Sequence, residues 1–328
     1  MGNAVAQDGR LILAPMQGLT ELLLRRVFYH CFPNAFDYAV SPFLSLTHGN
    51  LSDAWKKIGD VLPERNKDSI PVVPQILGRE ADEFVALANR LGEVGYNEVN
   101  WNIGCPMRRV AGKHRGSGIL PYPDEVREVL DKVVPRLQVA LSVKMRLGHY
   151  RDDEILSLIP ILNDYPLCSV ILHPRTGKQQ YGGNVNLDRF GEVAQQIRHP
   201  LIYNGDIRSA EDYRRIRQRF PQVKDVMIGR GALQNPLLPY IIKGLPTTRE
   251  MALHFVGAMV DAIEHEPLSE QAKVRKTKEY WCLLWHSLPI SEQQHTDILH
   301  LQGLRDIQKT IKDFLSSAGS ESADIEAQ

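Results

Sequence analysis

The chain has 328 residues, 39 basic and 39 acidic side chains, a formal net charge of zero and 43% hydrophobic residues. That is enough apolar material for one large domain and a smaller one, and a charge too balanced to argue for nucleic acid by itself. No apolar run nears the roughly 20 residues of a membrane span, MGNAVAQDGR lacks a signal-peptide stretch, and Cys31, Cys105, Cys168 and Cys282 form no CxxC pair that would suggest zinc or a disulfide framework; a cytoplasmic protein is the default.

Short β-rich runs alternate with amphipathic stretches through the first 245 residues. The runs are LILAP (11–15), YAV (38–40), PVVPQIL (71–77), NEVNWNI (97–103), ALSVKM (140–145), SVILH (169–173), LIYNG (201–205) and DVMIG (225–229). Between them, Phe84, Leu87, Ala88 and Leu91 fall at helical spacing, as do Val126, Val129, Leu130 and Val133, and Ile155, Leu158, Ile159 and Leu162. Ser209 to Asp212 gives a helix-start signal before Tyr213, Ile216 and Phe220. The runs are mostly apolar on both faces, as a buried parallel sheet requires. Eight β–α units in this length predict an α/β fold, a (β/α)8 TIM barrel. A doubly wound open sheet is the rival, but it seldom needs eight regular units.

A polar or reactive residue closes almost every run, and that end of such a barrel carries its chemistry. The residues are Met16 and Gln17, Ser41, Gln75, Asn102 to Cys105, Lys144 and Arg146, His173, Asn204 to Asp206, and Gly229 to Arg230. Two ends say more than the others. Asn204-Gly205-Asp206 and Gly229-Arg230-Gly231 follow the seventh and eighth runs, where barrels commonly hold a phosphate on glycine-freed N–H groups and a helix start. The fixed charge of Arg230 would complete the cradle. A phosphorylated cofactor or substrate is expected there.

The last quarter reads differently. Thr247 to Glu250 resembles a capping box ahead of Met251, Phe255, Met259 and Ile263. A second helix sets Val274, Trp281, Leu284, Trp285 and Leu288 on one stripe, with Lys273, Arg275, Lys276 and Lys278 beside or opposite it. A third carries Leu304, Ile307, Ile311 and Leu315. The expected division is a catalytic barrel over 1–245, a helical domain over 246–316 and a disordered tail over 317–328. The four cations read as a solvated helix face or as a surface for phosphates, and this helix alone does not decide.

The least ordinary stretch is NWNIGCPMRRVAGKHRGSG (100–118), with Cys105 between a glycine and a proline and basic residues behind it. Its thiol suits a buried structural cysteine, a metal ligand, or an acid or nucleophile working on an anionic polymer.

Taken with LAPMQGLTE (13–21), SVKMRLG, ILHPRTGKQQYGG, IYNGDI and VMIGRGALQNP, this stretch resembles the ordered motifs of the tRNA-dihydrouridine synthase family, flavoenzymes that reduce a uridine in folded RNA. The resemblance covers residues 11 to about 240, more weakly the basic helix. It implies FMN over the barrel mouth, with Pro15, Met16 and Gln17 along the flavin edge and Gln75 bonded to the ring. It puts Lys144 at the N1/O2 side, His173 nearby, and Asn204, Gly205, Asp206, Gly229 and Arg230 on ribityl and phosphate. NADPH is the implied reductant, although no dinucleotide fingerprint is visible.

On the same resemblance, flavin N5 gives a hydride to uridine C6 and Cys105 gives a proton to C5. A thiol of ordinary pKa, about 8.5, is protonated and available at neutral pH. Asn102 would bind the base edge, and Arg146 a carbonyl or phosphate of a nucleotide flipped into the pocket. Arg108, Arg109, Lys113 and Arg115 would face the surrounding phosphates, joined by Lys273, Arg275, Lys276 and Lys278 from the helical domain. tRNA is the expected partner of a cytoplasmic monomer with no metal and no membrane contact. The alternatives are a ribosomal RNA substrate, or a free small molecule served by the same flavin barrel. Two positions depart from the family pattern: Asn100, where many relatives carry an acid, and His114-Arg115, where they usually carry small or apolar residues.

Overall fold

The computed structural model describes residues 9–45 and 58–323. Its strands are β1 (Leu11–Leu13), β2 (Tyr38–Val40), β3 (Leu44–Ser45), β4 (Val72–Val73), β5 (Gln75–Leu77), β6 (Glu98–Ile103), β7 (Ala140–Gly148), β8 (Leu167–Thr176), β9 (Leu201–Asn204) and β10 (Val226–Ile228). All are parallel, in the order β3-β5-β6-β7-β8-β9-β10-β1-β2-β4.

The two ends of that order are not open edges. β4 and β5 are halves of one run, split at Pro74, which has no N–H to give a ladder. β4 pairs with β2 while β5 pairs with β6, so the sheet curls round on itself as the eight runs predicted. At the split, the Asn100 N–H donates to the Pro74 carbonyl at 2.8 Å. The Gln75 N–H instead reaches Ser41 Oγ at 3.0 Å. Opposite, β1 pairs with β10, Leu11 against Val226, and Arg10 grips Asp225 through Nε and Nη2 at 3.0 and 2.6 Å.

The helices Ala81–Glu93, Pro123–Val133 and Glu154–Asn163 bury the predicted stripes against the strands. Each such side chain contributes about 1.5–3 kcal/mol. Ser209 and Asp212 form the expected capping box on the helix Ala210–Arg219. β7 and β8 run three residues beyond the predicted ends and pair to their tips, where Gly148 meets Thr176.

Four helices follow, Arg249–His265, Glu270–Leu284, Glu292–His300 and Leu304–Ala323, where the sequence suggested three. The unanticipated one opens on a Ser291–Gln294 capping box. In the first, Thr248 is the cap and accepts from the Met251 N–H. Met251 therefore occupies the place that the expected box assigned to Glu250. The last helix includes residues 317–323, expected as disordered tail, because Ala318 continues the buried line of Leu304, Ile307 and Ile311; residues 324–328 lie outside the described residues. The bundle docks through Phe255, whose ring lies 4.7 and 5.4 Å from those of Phe28 and Phe32 on the first barrel helix, Leu22–Cys31. Among the described residues no helix is long and apolar enough to cross a membrane.

Candidate active site

A cavity of about 420 Å³ opens at the C-terminal ends of the strands. Every residue expected to touch a cofactor, from Pro15 through Lys144 and His173 to Arg230, lines it, as do Asn102, Cys105 and Arg146. Leu283 reaches it from the helical bundle. The size is that of an ordinary small-molecule site.

The floor is organised by a chain of side-chain amides. Asn102 Oδ1 accepts from the backbone N–H of Gly104 at 3.1 Å and of Cys105 at 2.9 Å. Backbone nitrogens only donate, so this fixes which amide atom is the oxygen. Asn102 Nδ2 then donates to Gln75 Oε1 at 2.7 Å, Gln75 Nε2 to Asn100 Oδ1 at 2.7 Å, and Asn100 Nδ2 to Ser142 Oγ at 2.8 Å. Gln75, Asn100, Asn102 and Ser142 are all buried. Asn102, read from sequence as a binder of the base, is thus first a clamp on the Cys105 turn, with one amide hydrogen left over. Asn100 is part of the same chain, an acid-free variant of it.

Cys105 is held from its other side as well. Its carbonyl accepts from the Ser117 N–H at 3.0 Å and from Ser117 Oγ at 3.1 Å. Gly116 permits this approach: its φ is +56°, and a Cβ there would lie 2.6 Å from the Cys105 oxygen. Burial raises the thiol pKa, although the Met107 N–H and the charges of Arg146, Arg109 and Lys144 pull it down. The sulfur is therefore a protonated thiol in a fixed turn.

Around it the electrostatics are strongly positive. Among the described lining residues Asp206 is the single acid, against Lys144, Arg146, Arg208 and Arg230. Burial, with Arg146 next, brings Lys144 down to about 7. Burial takes Arg146 to about 10. Arg146 is pinned by the carbonyls of Gly104, Thr176 and Gln180 at 3.1, 2.8 and 2.6 Å. Asp206, itself in the left-handed region at φ +38°, accepts from Arg175 at 2.5 Å and from Arg230 at 3.0 Å. Burial opposes its charge, but Arg175 and Arg230 hold it below the usual carboxylate range.

Arg175 was not singled out from sequence. It is 1% exposed, and its Nη1 lies 3.2 Å from His173 Nε2. A guanidinium cannot accept, so that ring nitrogen offers its lone pair and the imidazole carries its proton on Nδ1. Burial and the neighbouring cations, Arg146 first, keep His173 neutral, well below the ordinary imidazole value. Tyr181 was missed too: half exposed, it lies under the Arg230 guanidinium at 4.6 Å. Its position in ILHPRTGKQQYGG was the available signal.

The remaining expected residues do not line the cavity. Arg108 and Arg109, on the short helix Arg108–Ala111, and Lys113 are exposed just behind Cys105. On the basic helix, Glu270–Leu284, Arg275 is exposed, but its lysines are engaged. Lys273 bonds the Glu264 carbonyl, Lys278 the Leu299 carbonyl at 2.8 Å, and Lys276 pairs with Glu21 at 2.7 Å. The free cationic face expected on this helix is reduced mainly to Arg275, since the stripe also turns Thr277 and Tyr280 inward. His114 stacks on Tyr122 at 4.2 Å and meets Glu125 at 3.1 Å. It ties the loop behind Cys105 to the helix Pro123–Val133.

Comparison with known proteins agrees with this geometry. A family model described as dihydrouridine synthase (Dus) matches residues 12–281. A tRNA-dihydrouridine synthase B of Pasteurella multocida is 31% identical over 72% of this chain and 69% of its own. A tRNA-dihydrouridine(16) synthase of Ralstonia nicotianae is 28% identical over 96% of this chain and 98% of its own. Among solved structures, an old yellow enzyme homologue from Zymomonas mobilis superposes with a TM-score of 0.55 at 10% identity, over 74% of this chain and 90% of that one. It speaks for the barrel alone.

Proposed function

Because the chain belongs to the dihydrouridine synthase family, we propose that it reduces a uridine of tRNA to 5,6-dihydrouridine, with FMN as bound cofactor and NADPH as reductant. The observation that carries this reading is one cavity holding the clamped thiol of Cys105 beside a cluster of cations, with a single acid among the described lining residues.

The donor set fits FMN. Arg230, the backbone of Gly205 and the N–H groups of Arg230 and Gly231 at the start of the helix Arg230–Gln234 supply what a phosphate needs. Among the described residues Lys144 makes no ion pair, and an ammonium weakened to about 7 by burial gains most from an anionic neighbour. Gln75 and the Nδ1–H of His173 supply neutral donors for a flavin ring. When bound, reduced flavin supplies the hydride for uridine C6.

The protein's own part is acid catalysis and placement. Cys105 Sγ–H gives its proton to uridine C5, and the Asn102 and Ser117 hydrogen bonds keep the sulfur in place while it does so. Arg146, fixed by three carbonyls, offers its remaining Nη2 donors to the base. A uridine reaches this depth only when flipped out of its stack. Arg108, Arg109 and Lys113 at the rim meet the flanking phosphates. The Ralstonia relative, whose match continues through the helical bundle, is named for position 16, and uridine 16 is the target we assign.

Nucleoside analysis of tRNA from cells lacking the gene tests this directly. Dihydrouridine should vanish at position 16 and return with the wild-type gene. Loss from ribosomal RNA alone would move the substrate, and loss from neither would refute the reading.

A further inference from the structure

The helical bundle grips one turn at the barrel mouth through side-chain hydrogen bonds. Lys276 Nζ donates to Glu21 Oε2 at 2.7 Å and to the Gly18 carbonyl at 3.3 Å, from a side chain 14% exposed. Four residues on, the Tyr280 hydroxyl donates to the Leu19 carbonyl. Leu283 continues the same helix face into the cavity. Positions 276, 280 and 283 are spaced as one side of a helix.

The turn they grip follows β1. The N–H groups of Leu19 and Thr20 both reach the Met16 carbonyl at 3.0 Å, and Thr20 Oγ1 accepts from the Met16 N–H at 2.7 Å. Gly18 lies at φ +81° with open space where a Cβ would be, so the residue is required by conformation. Met16, Gln17 and Leu19 from this turn all line the cavity. A small rotation of the turn therefore moves one wall of the site.

We propose that Lys276 is a positioning residue, which fixes the Met16–Glu21 turn against the cavity and sets the cofactor edge from the helical bundle. Two of its three ammonium donors are used, its charge is matched by Glu21, and its head lies 5.8 Å from the Tyr280 ring centre. It has little left for an RNA phosphate. What the turn touches rests on the FMN reading; the contact between helix and turn does not.

The test uses the full-length chain with Lys276→Gln, Lys276→Glu, Glu21→Lys and the swap of Glu21→Lys with Lys276→Glu. Hydrogen exchange of residues 16–21 is measured first, in flavin-free protein. FMN affinity and the salt dependence of RNA binding follow. Each single change should speed exchange of the turn and weaken FMN by roughly three- to tenfold, the span between an exposed and a half-buried ion pair. The swap should recover most of both losses. Lys276→Gln should leave the salt slope of RNA binding unchanged. Unchanged exchange in the single variants would overturn the proposal. So would a slope lowered by about one with normal FMN affinity, the mark of a phosphate contact. Wild-type protein that takes up no FMN would sink the cofactor reading, while the exchange result still judges the strut.

Discussion

Removing the Asn102 side chain cuts three hydrogen bonds at once. Asn102→Ala strands the amides of Gly104 and Cys105 and leaves Gln75 Oε1 without its donor. At about 1 kcal/mol per bond, the folded state should lose about 3 kcal/mol. Asn102→Asp is a different perturbation. Its carboxylate still accepts both amides but offers no proton to Gln75. Gln75 can turn over and donate; Asn100 then turns and donates to Gln75, and Ser142 gives its hydroxyl proton to Asn100. The contacts of the Ser142 hydroxyl with the Val99 carbonyl, at 3.5 Å, and with the Cys168 sulfur are surrendered. The chain reverses its sense almost intact, and Lys144, paired across the strands with Asn102, offsets the new charge. Asn102→Asp should therefore cost about 1 kcal/mol or less. Adding Ser142→Ala removes the last donor and should bring the loss back to about 2–3 kcal/mol. Urea unfolding of the flavin-free proteins, followed by circular dichroism, measures all three. Equal losses for Asn102→Ala and Asn102→Asp would refute the reversible chain. The asparagine at position 100 acquires a meaning here, since a carboxylate there could not reverse.

Cys105→Ala should bind FMN and RNA yet slow RNA-dependent reoxidation of prereduced flavin by roughly two to four orders of magnitude, with Cys105→Ser similarly poor; wild-type stopped-flow rates in the Ala variant would end the acid role. Burial raises this thiol, and the acid form is the active one. The rate should hold through neutral pH and fall only as pH rises past the ordinary thiol value of about 8.5. For Lys144, which burial brings to about 7, an electron-rich ligand edge raises the pKa. FMN affinity should then be greatest below that value, weaken as pH rises through it, and show proton uptake near pH 8 by calorimetry in two buffers. Lys144→Met should abolish the uptake. Neutralising Arg108, Arg109 and Lys113 should weaken RNA binding and flatten its salt slope, whereas Lys273→Gln and Lys278→Gln should leave the slope nearly unchanged. A nitrocellulose filter assay across salt concentrations separates the two sets.

The barrel was legible because its strands are buried on both faces and punctuated by helices with clean apolar stripes. Pro74 was visible too, but only pairing shows that it splits one run between two neighbours. The cavity followed from the strand ends, since the barrel's geometry itself brings those ends together. Arg175 was not legible: its partners His173 and Asp206 come from two strand ends, and its meaning is a tautomer. Lys276 looked like its neighbours until Glu21, distant in sequence, gave it a partner. The helix Glu292–His300 hid because its one fully buried residue, Ile298, makes no periodic pattern.

The pairing of Leu11 with Val226, reinforced by Arg10 and Asp225, has a bearing on how the chain is made. One side of β1 finds its neighbour, β2, within the next few dozen residues. The other side waits until Ile228 has left the ribosome. At about 5–20 residues per second that interval is on the order of tens of seconds. Throughout it, the first strand offers an unpaired apolar edge to whatever else is nearby. The nascent protein is therefore most in need of a chaperone just before its eighth barrel unit emerges, and a pause in translation there would be the costliest place to stop.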